Sequence, residues 1–103
     1  MGYKVIVTER AETQLDNIIN HILFRFSNRE AAINILKDVQ KTYEKLKYVA
    51  EAIQLCDDPY LASKGYRKIA LESHNYVTLY QIRDETVSVN GIFHMLEDYQ
   101  NKL

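Results

Sequence analysis

The chain has 103 residues, 47 % of them hydrophobic and 26 % charged, with a formal net charge of −1; that is enough for one packed core and too little for two. Three glycines and one proline leave little material for linkers, and a lone cysteine, Cys56, excludes an internal disulfide. An isoelectric point of about 6.3 argues against a face that tracks a nucleic-acid backbone, which needs concentrated positive charge, so no sequence-specific DNA binding by this chain alone is expected.

YKVIVT, Tyr3 to Thr8, reads as a short strand of β-branched and aromatic residues. Thr8 then caps a helix, with Glu9 and Glu12 favourably placed in its first turn. Its apolar stripe is Ala11, Leu15, Ile18, Ile22 and Phe26. FSNRE breaks the pattern, and Ser27 or Asn28 caps a second helix whose stripe is Ala32, Leu36, Val39, Tyr43, Leu46, Ala50 and Ile53. Two long helices with so short a joint pack as an antiparallel hairpin. LCDDPYLASKG, from Leu55 to Gly65, has no period and reads as irregular. Three strands follow: Tyr66 to Glu72, Tyr76 to Arg83, and Thr86 to His94 after a tight Asp84-Glu85 turn.

The expected architecture is α+β, in the order β-α-α-β-β-β. A small antiparallel sheet includes the N-terminal strand, with the helix hairpin packed on one face, and residues 1-103 form a single domain. No apolar run approaches the roughly 20 residues of a membrane span, and MGYKVIVTER lacks the apolar segment of a signal peptide. A cytoplasmic location without membrane contact is expected, in keeping with the single thiol.

The side chains that carry chemistry are few. His21, His74 and His94 have no ligand spacing to one another or to Cys56, so neither a metal nor a cofactor is expected. Lys37, Lys41 and Lys45 recur on one helix face, but Asp38, Glu44 and Glu51 are interleaved, as on a solvated face. Arg67 and Lys68 are adjacent on a strand and leave it on opposite sides, so one of them shares the side of His94. Val87, Val89 and Phe93 take one face of the last strand, and strict alternation puts His94 on the other with Ser88, Asn90 and Ile92. An imidazole presented there is either a general acid or base or a hydrogen-bonded structural group packed by the tail.

The opening YKVIVTERAETQLDNI, the two-helix hairpin, and the strands YRKIAL, YVTLYQI and VSVNGIFH resemble the RelE/ParE superfamily of bacterial type II toxins over nearly the whole chain. The resemblance implies a toxin of the ParE-like, plasmid-stabilisation type. Such a toxin arrests growth by binding a cellular target, DNA gyrase for ParE-like relatives, and is neutralised by a cognate antitoxin. The alternatives within the superfamily are a ribosome-dependent mRNA endoribonuclease of the RelE type and a degenerate member that keeps only antitoxin binding. Nuclease members are strongly basic and carry an arginine three residues before the tyrosine of a YRLVY-like strand. Here the strand is YVTLY and the place is held by Val77, which cannot bind a scissile phosphate. Their terminal histidine matches His94, and the acidic residue before their proline matches Asp58. The tyrosine that follows their histidine is replaced by Met95, which leaves Tyr99 to take that place if the tail folds back. A nuclease would therefore rely on His94 with Arg67 or Lys68 as the catalytic set. A ParE-like toxin would contact its target through residues among Arg83, Met95, Leu96 and Tyr99.

Overall fold

The computed structural model describes residues 2–97; Tyr99 lies outside the described residues. Strand β1 (Lys4–Val7) leads into helix α1 (Glu9–Arg25), where the Thr8 hydroxyl accepts the Ala11 N–H at 3.2 Å as the N-cap. Asn28, one of the two candidate residues, caps helix α2 (Arg29–Val49) by accepting the Ala31 N–H at 3.0 Å. A 3-10 turn (Ala50–Ala52) ends the hairpin. The segment expected to be irregular contains a short helix, α3 (Pro59–Ser63), started by Pro59 at its first turn and by Asp58, whose carboxylate accepts the Tyr60 N–H. Strands β2 (Arg67–Ala70), β3 (Tyr76–Arg83) and β4 (Thr86–His94) complete the chain order. Asp84 makes the tight β3–β4 turn at φ 54°, a left-handed conformation that aspartate tolerates.

The sheet order is β1-β4-β3-β2. The meander β2-β3-β4 is antiparallel, as expected, whereas β1 runs parallel to β4, pairing Lys4 with Thr86 and Val7 with Val89. The sheet is therefore mixed, because the α1–α2 hairpin and the meander bring the chain back to β1 in β1's own direction. α1 and α2 cover one face. Their core joins Ala11, Leu46 and Ala50 to Tyr80, Val87 and Val89, and Ile35 and Val39 to Leu71 and Ile92. The second face is not bare: Leu61 of α3 and Cys56 close over Val77, Leu79 and Phe93.

Three sequence expectations change here. Ile35, not Leu36, is the buried residue of that α2 turn; a step of three or four from Ala32 reaches either one, and Leu71 with Ile92 selects Ile35. Phe26 is the α1 C-cap and stays 63 % exposed, because the chain turns away before its side chain reaches the core. The strict alternation of β4 fails at Asn90. Leu79 lies opposite Gly91 and Tyr80 opposite Val89, so Asn90 is an extra residue, a β-bulge. The bulge reverses the facing, and Ile92 and His94 share the helix-covered side with Val87 and Val89, while Phe93 goes to the opposite side.

Two contacts fix this bulge. The Gln14 carboxamide oxygen of α1 accepts the Ile92 N–H at 2.9 Å. Gly91 lies under the Phe93 ring, where an added Cβ would come within 2.5 Å of Phe93 Cε2. Asn90 itself donates to Gln81 Oε1 at 2.7 Å and accepts from the Ser88 hydroxyl at 2.9 Å, which keeps its polar groups satisfied.

Candidate functional site

His94 ends β4 and begins a compact turn. Its backbone N–H donates to Glu97 Oε1 at 3.0 Å, and its carbonyl accepts the Glu97 N–H at 3.0 Å. Its ring Nδ1 accepts the Leu96 N–H at 3.2 Å, and the ring stands edge-on to Tyr76 with centroids 5.4 Å apart. An Nδ1 that accepts must be unprotonated, so the ring proton of neutral His94 sits on Nε2. Burial first, and then the Glu97 carboxylate, push the neighbouring Tyr76 phenol above its ordinary pKa. Met95 is anchored through its N–H to Asn75 O at 2.9 Å, while its side chain is half exposed and that of Leu96 is 89 % exposed. Beside this turn, Gln14, Asn17 and Ile18 of α1 with Ile92, Phe93 and Glu97 line a groove of about 270 Å³.

The structure does not bring the other expected site residues to His94. Arg67 shares its sheet face, but Arg67 pairs with Tyr80 and His94 with Tyr76, four residues away on β3, or about 13 Å along the strand. The Arg67 guanidinium donates to the carbonyls of Ile53 and Glu51, at 3.5 Å for the latter. With the Tyr80 hydroxyl, which donates to Ala50 O at 2.9 Å, it satisfies carbonyls where α2 ends. Lys68, opposite Leu79, is exposed on the α3 side. Arg83 pairs with Thr86 at the far end of β3 and β4, apart from Met95 and Leu96. Asp58, matched above to an acidic nuclease residue, serves as the α3 cap.

Val77 holds the position that the superfamily resemblance assigns to the nuclease arginine. It is 6 % exposed and packs in the cluster of Cys56, Leu61, Leu79 and Phe93.

One constellation escaped the sequence reading. Asp38, interleaved with the lysines of α2, is not solvated but buried at 7 % exposure, and its Oδ2 accepts the Ser73 N–H at 2.9 Å and His74 Nδ1–H at 2.7 Å. Burial alone would raise its carboxyl; the His74 bond, backbone N–H bonds from Ser73 and Glu72, and the imidazole charge outweigh that and hold it below the usual carboxylate range. The signal was present in the spacing, since Asp38 falls three after Ile35 and four before Thr42, both buried. Among the described residues, no three His, Cys, Asp or Glu side chains gather so as to hold a metal ion. No helix there is long and apolar enough to cross a membrane.

A helix hairpin on a mixed four-stranded sheet, its last strand ending in a histidine turn, defines a RelE/ParE-superfamily toxin. The chain belongs to the ParE toxin family of type II toxin-antitoxin systems, parDE, whose family model matches residues 5–99. No curated protein matches it in sequence. Among solved structures it is similar to the chromosomal ParDE system from P. aeruginosa, with a TM-score of 0.74 and 19 % identity over 89 % of this chain and 95 % of that one. A conserved hypothetical protein from Helicobacter pylori gives 0.58 and 8 % identity over 92 % and 97 %. The intact E. coli RelBE toxin-antitoxin complex gives 0.50 and 22 % over 89 % and 95 %. At these identities the structural likeness concerns the fold.

Proposed function

We propose that this chain arrests growth by binding a protein, DNA gyrase being the target its family implies, and that a cognate antitoxin neutralises it. The observation that carries the reading is Val77: the place of the nuclease cation is filled by a core side chain closed over by Leu61 and Cys56. Of the remaining nuclease candidates, Arg67 is engaged on backbone carbonyls, His94 Nδ1 on the Leu96 N–H, and Lys68 leaves the sheet on the face opposite His94. A net charge of −1 offers little attraction to mRNA or ribosome. The exposed Met95 and Leu96 side chains supply an apolar contact for the target, with Tyr99 beyond them in sequence and Arg83 at the opposite sheet end as a separate contact. For the antitoxin, the open β1 edge, where Ile6 is exposed, suits the addition of an extended segment. Toxin-antitoxin systems among the structural relatives support such a partner.

The deciding experiment adds purified protein to a gyrase supercoiling assay and to a cell-free translation reaction. Inhibited supercoiling with intact mRNA is the expected result. Cleaved mRNA would make the protein a nuclease, and no effect in either assay would leave antitoxin binding as its only activity.

A further inference from the structure

Between α2 and the β2–β3 turn lies a groove of about 400 Å³, lined by Asn34, Lys37, Asp38, Lys41, Ser73 and His74. The toxin reading above does not use it. We propose that this groove binds a single phosphate group carried by a small molecule, held by Lys37, Lys41 and His74 Nε2.

His74 is fixed for such a task. The buried Asp38 carboxylate accepts its Nδ1–H at 2.7 Å, which orients the ring and leaves Nε2 as the nitrogen available to a ligand. With Nδ1–H given to Asp38, Nε2 can accept from a phosphate O–H when the ring is neutral and donate to a phosphate oxygen when it is charged. Lys37 and Lys41, one helical turn apart, stand on the α2 side of the groove. An anion is already drawn to this place: the Glu72 carboxylate lies 2.8 Å from Lys41 Nζ, and both side chains are about half exposed or more. So exposed a pair is weak and gives way readily to a ligand of higher charge.

The lining also indicates the class of ligand. Its cations are lysine and histidine, point donors that suit a tetrahedral phosphate, and it has no arginine fork to match a planar carboxylate. Among the described residues no Phe, Tyr or Trp lines it, so a nucleobase has no large ring to stack on. Asp38, Glu44 and Glu72 share this side with Lys37, Lys41 and Lys45, which penalises an extended polyanion more than one phosphate.

The test is an NMR titration of the folded chain with inorganic phosphate, followed by adenosine monophosphate and an end-blocked single-stranded oligonucleotide. Saturable shifts confined to His74, Lys37 and Lys41 are expected with the first two. Lys37→Gln, a change at an exposed position, should weaken binding about tenfold. Glu72→Gln should tighten it by releasing Lys41, a gain that misfolding cannot mimic. The proposal is overturned by non-saturable shifts, by indifference to both substitutions, or by equal displacement with chloride. Tighter binding of the oligonucleotide than of the mononucleotide overturns the small-molecule assignment.

Discussion

Val77 lies opposite Phe93 in the β3–β4 ladder, and both side chains are buried on the face that α3 closes. The superfamily's nuclease cation would have to emerge at this point, so its recovery can be tested directly. Val77→Arg should cost about 2–5 kcal/mol by burying an unpaired charge among apolar groups. It should not produce mRNA cleavage. Denaturant unfolding and a translation-coupled cleavage assay check both parts, and cleavage by a stable Val77→Arg protein would refute the assignment.

His94→Ala removes the Nδ1 acceptor for the Leu96 N–H and the edge contact with Tyr76. The expected stability loss is about 1 kcal/mol, the scale of one hydrogen bond. Growth arrest should survive with at most partial loss, and translation should be unaffected. Complete loss of toxicity in a folded variant that still binds antitoxin would instead make His94 the catalytic acid or base.

Adjacent α2 residues should separate cleanly. Ile35→Ala opens a cavity against Val39, Leu71 and Ile92 and should cost about 2–5 kcal/mol. Leu36→Ala, at a half-buried position outside that cluster, should cost less than about 1.5 kcal/mol. Comparable losses in chemical denaturation would mean that both leucine and isoleucine support the core.

Asp38 predicts an acid limb of stability. Its folded carboxyl lies below the usual value, so its contribution is complete above the unfolded pKa of about 3.9 and fades as pH falls through the folded one. Melting curves of the wild type and Asp38→Asn should therefore differ most above about pH 5 and converge as pH drops below about 4. A difference that stays constant across this range would exclude an ionic contribution.

Tyr43 and Tyr80 set the alkaline limb. Burial pushes both phenols up to about 12, with the Glu12 carboxylate adding to the effect at Tyr43. Their contribution is whole below the ordinary phenol pKa of about 10 and is lost as pH rises through the folded value. Of the eight tyrosines, these two should lag furthest in phenolate absorbance, until the protein unfolds. Early titration of all eight would contradict the burial.

The helices and the meander were legible in the sequence because their residues report local period and caps: Thr8 and Asn28 at helix starts, Tyr76, Thr78, Tyr80 and Ile82 along one strand face. The direction of β1 was not legible, since either pairing buries Val5 and Val7 equally well. The bulge at Asn90 was hidden for a different reason. Gly91 inside SVNGIFH is a local sign of an interrupted strand, but the second contact that fixes the bulge, Gln14 of α1 reaching the Ile92 N–H, is long-range and lies outside that stretch. The same gap explains the wrong facing inferred for His94. Asp38 and His74 were each read against immediate neighbours, whereas their pairing links residues 36 positions apart.

The parallel pairing of β1 with β4 sets a clock on synthesis. Lys4 leaves the ribosome ahead of both helices and two further strands, and its partner Thr86 emerges only after them. At roughly 5–20 residues per second, the nascent chain spends seconds with Val5 and Val7 unpaired, and the sheet closes only when β4 is free. A chain cut short before Val89 cannot complete this edge, so a prematurely terminated message should yield no folded toxin.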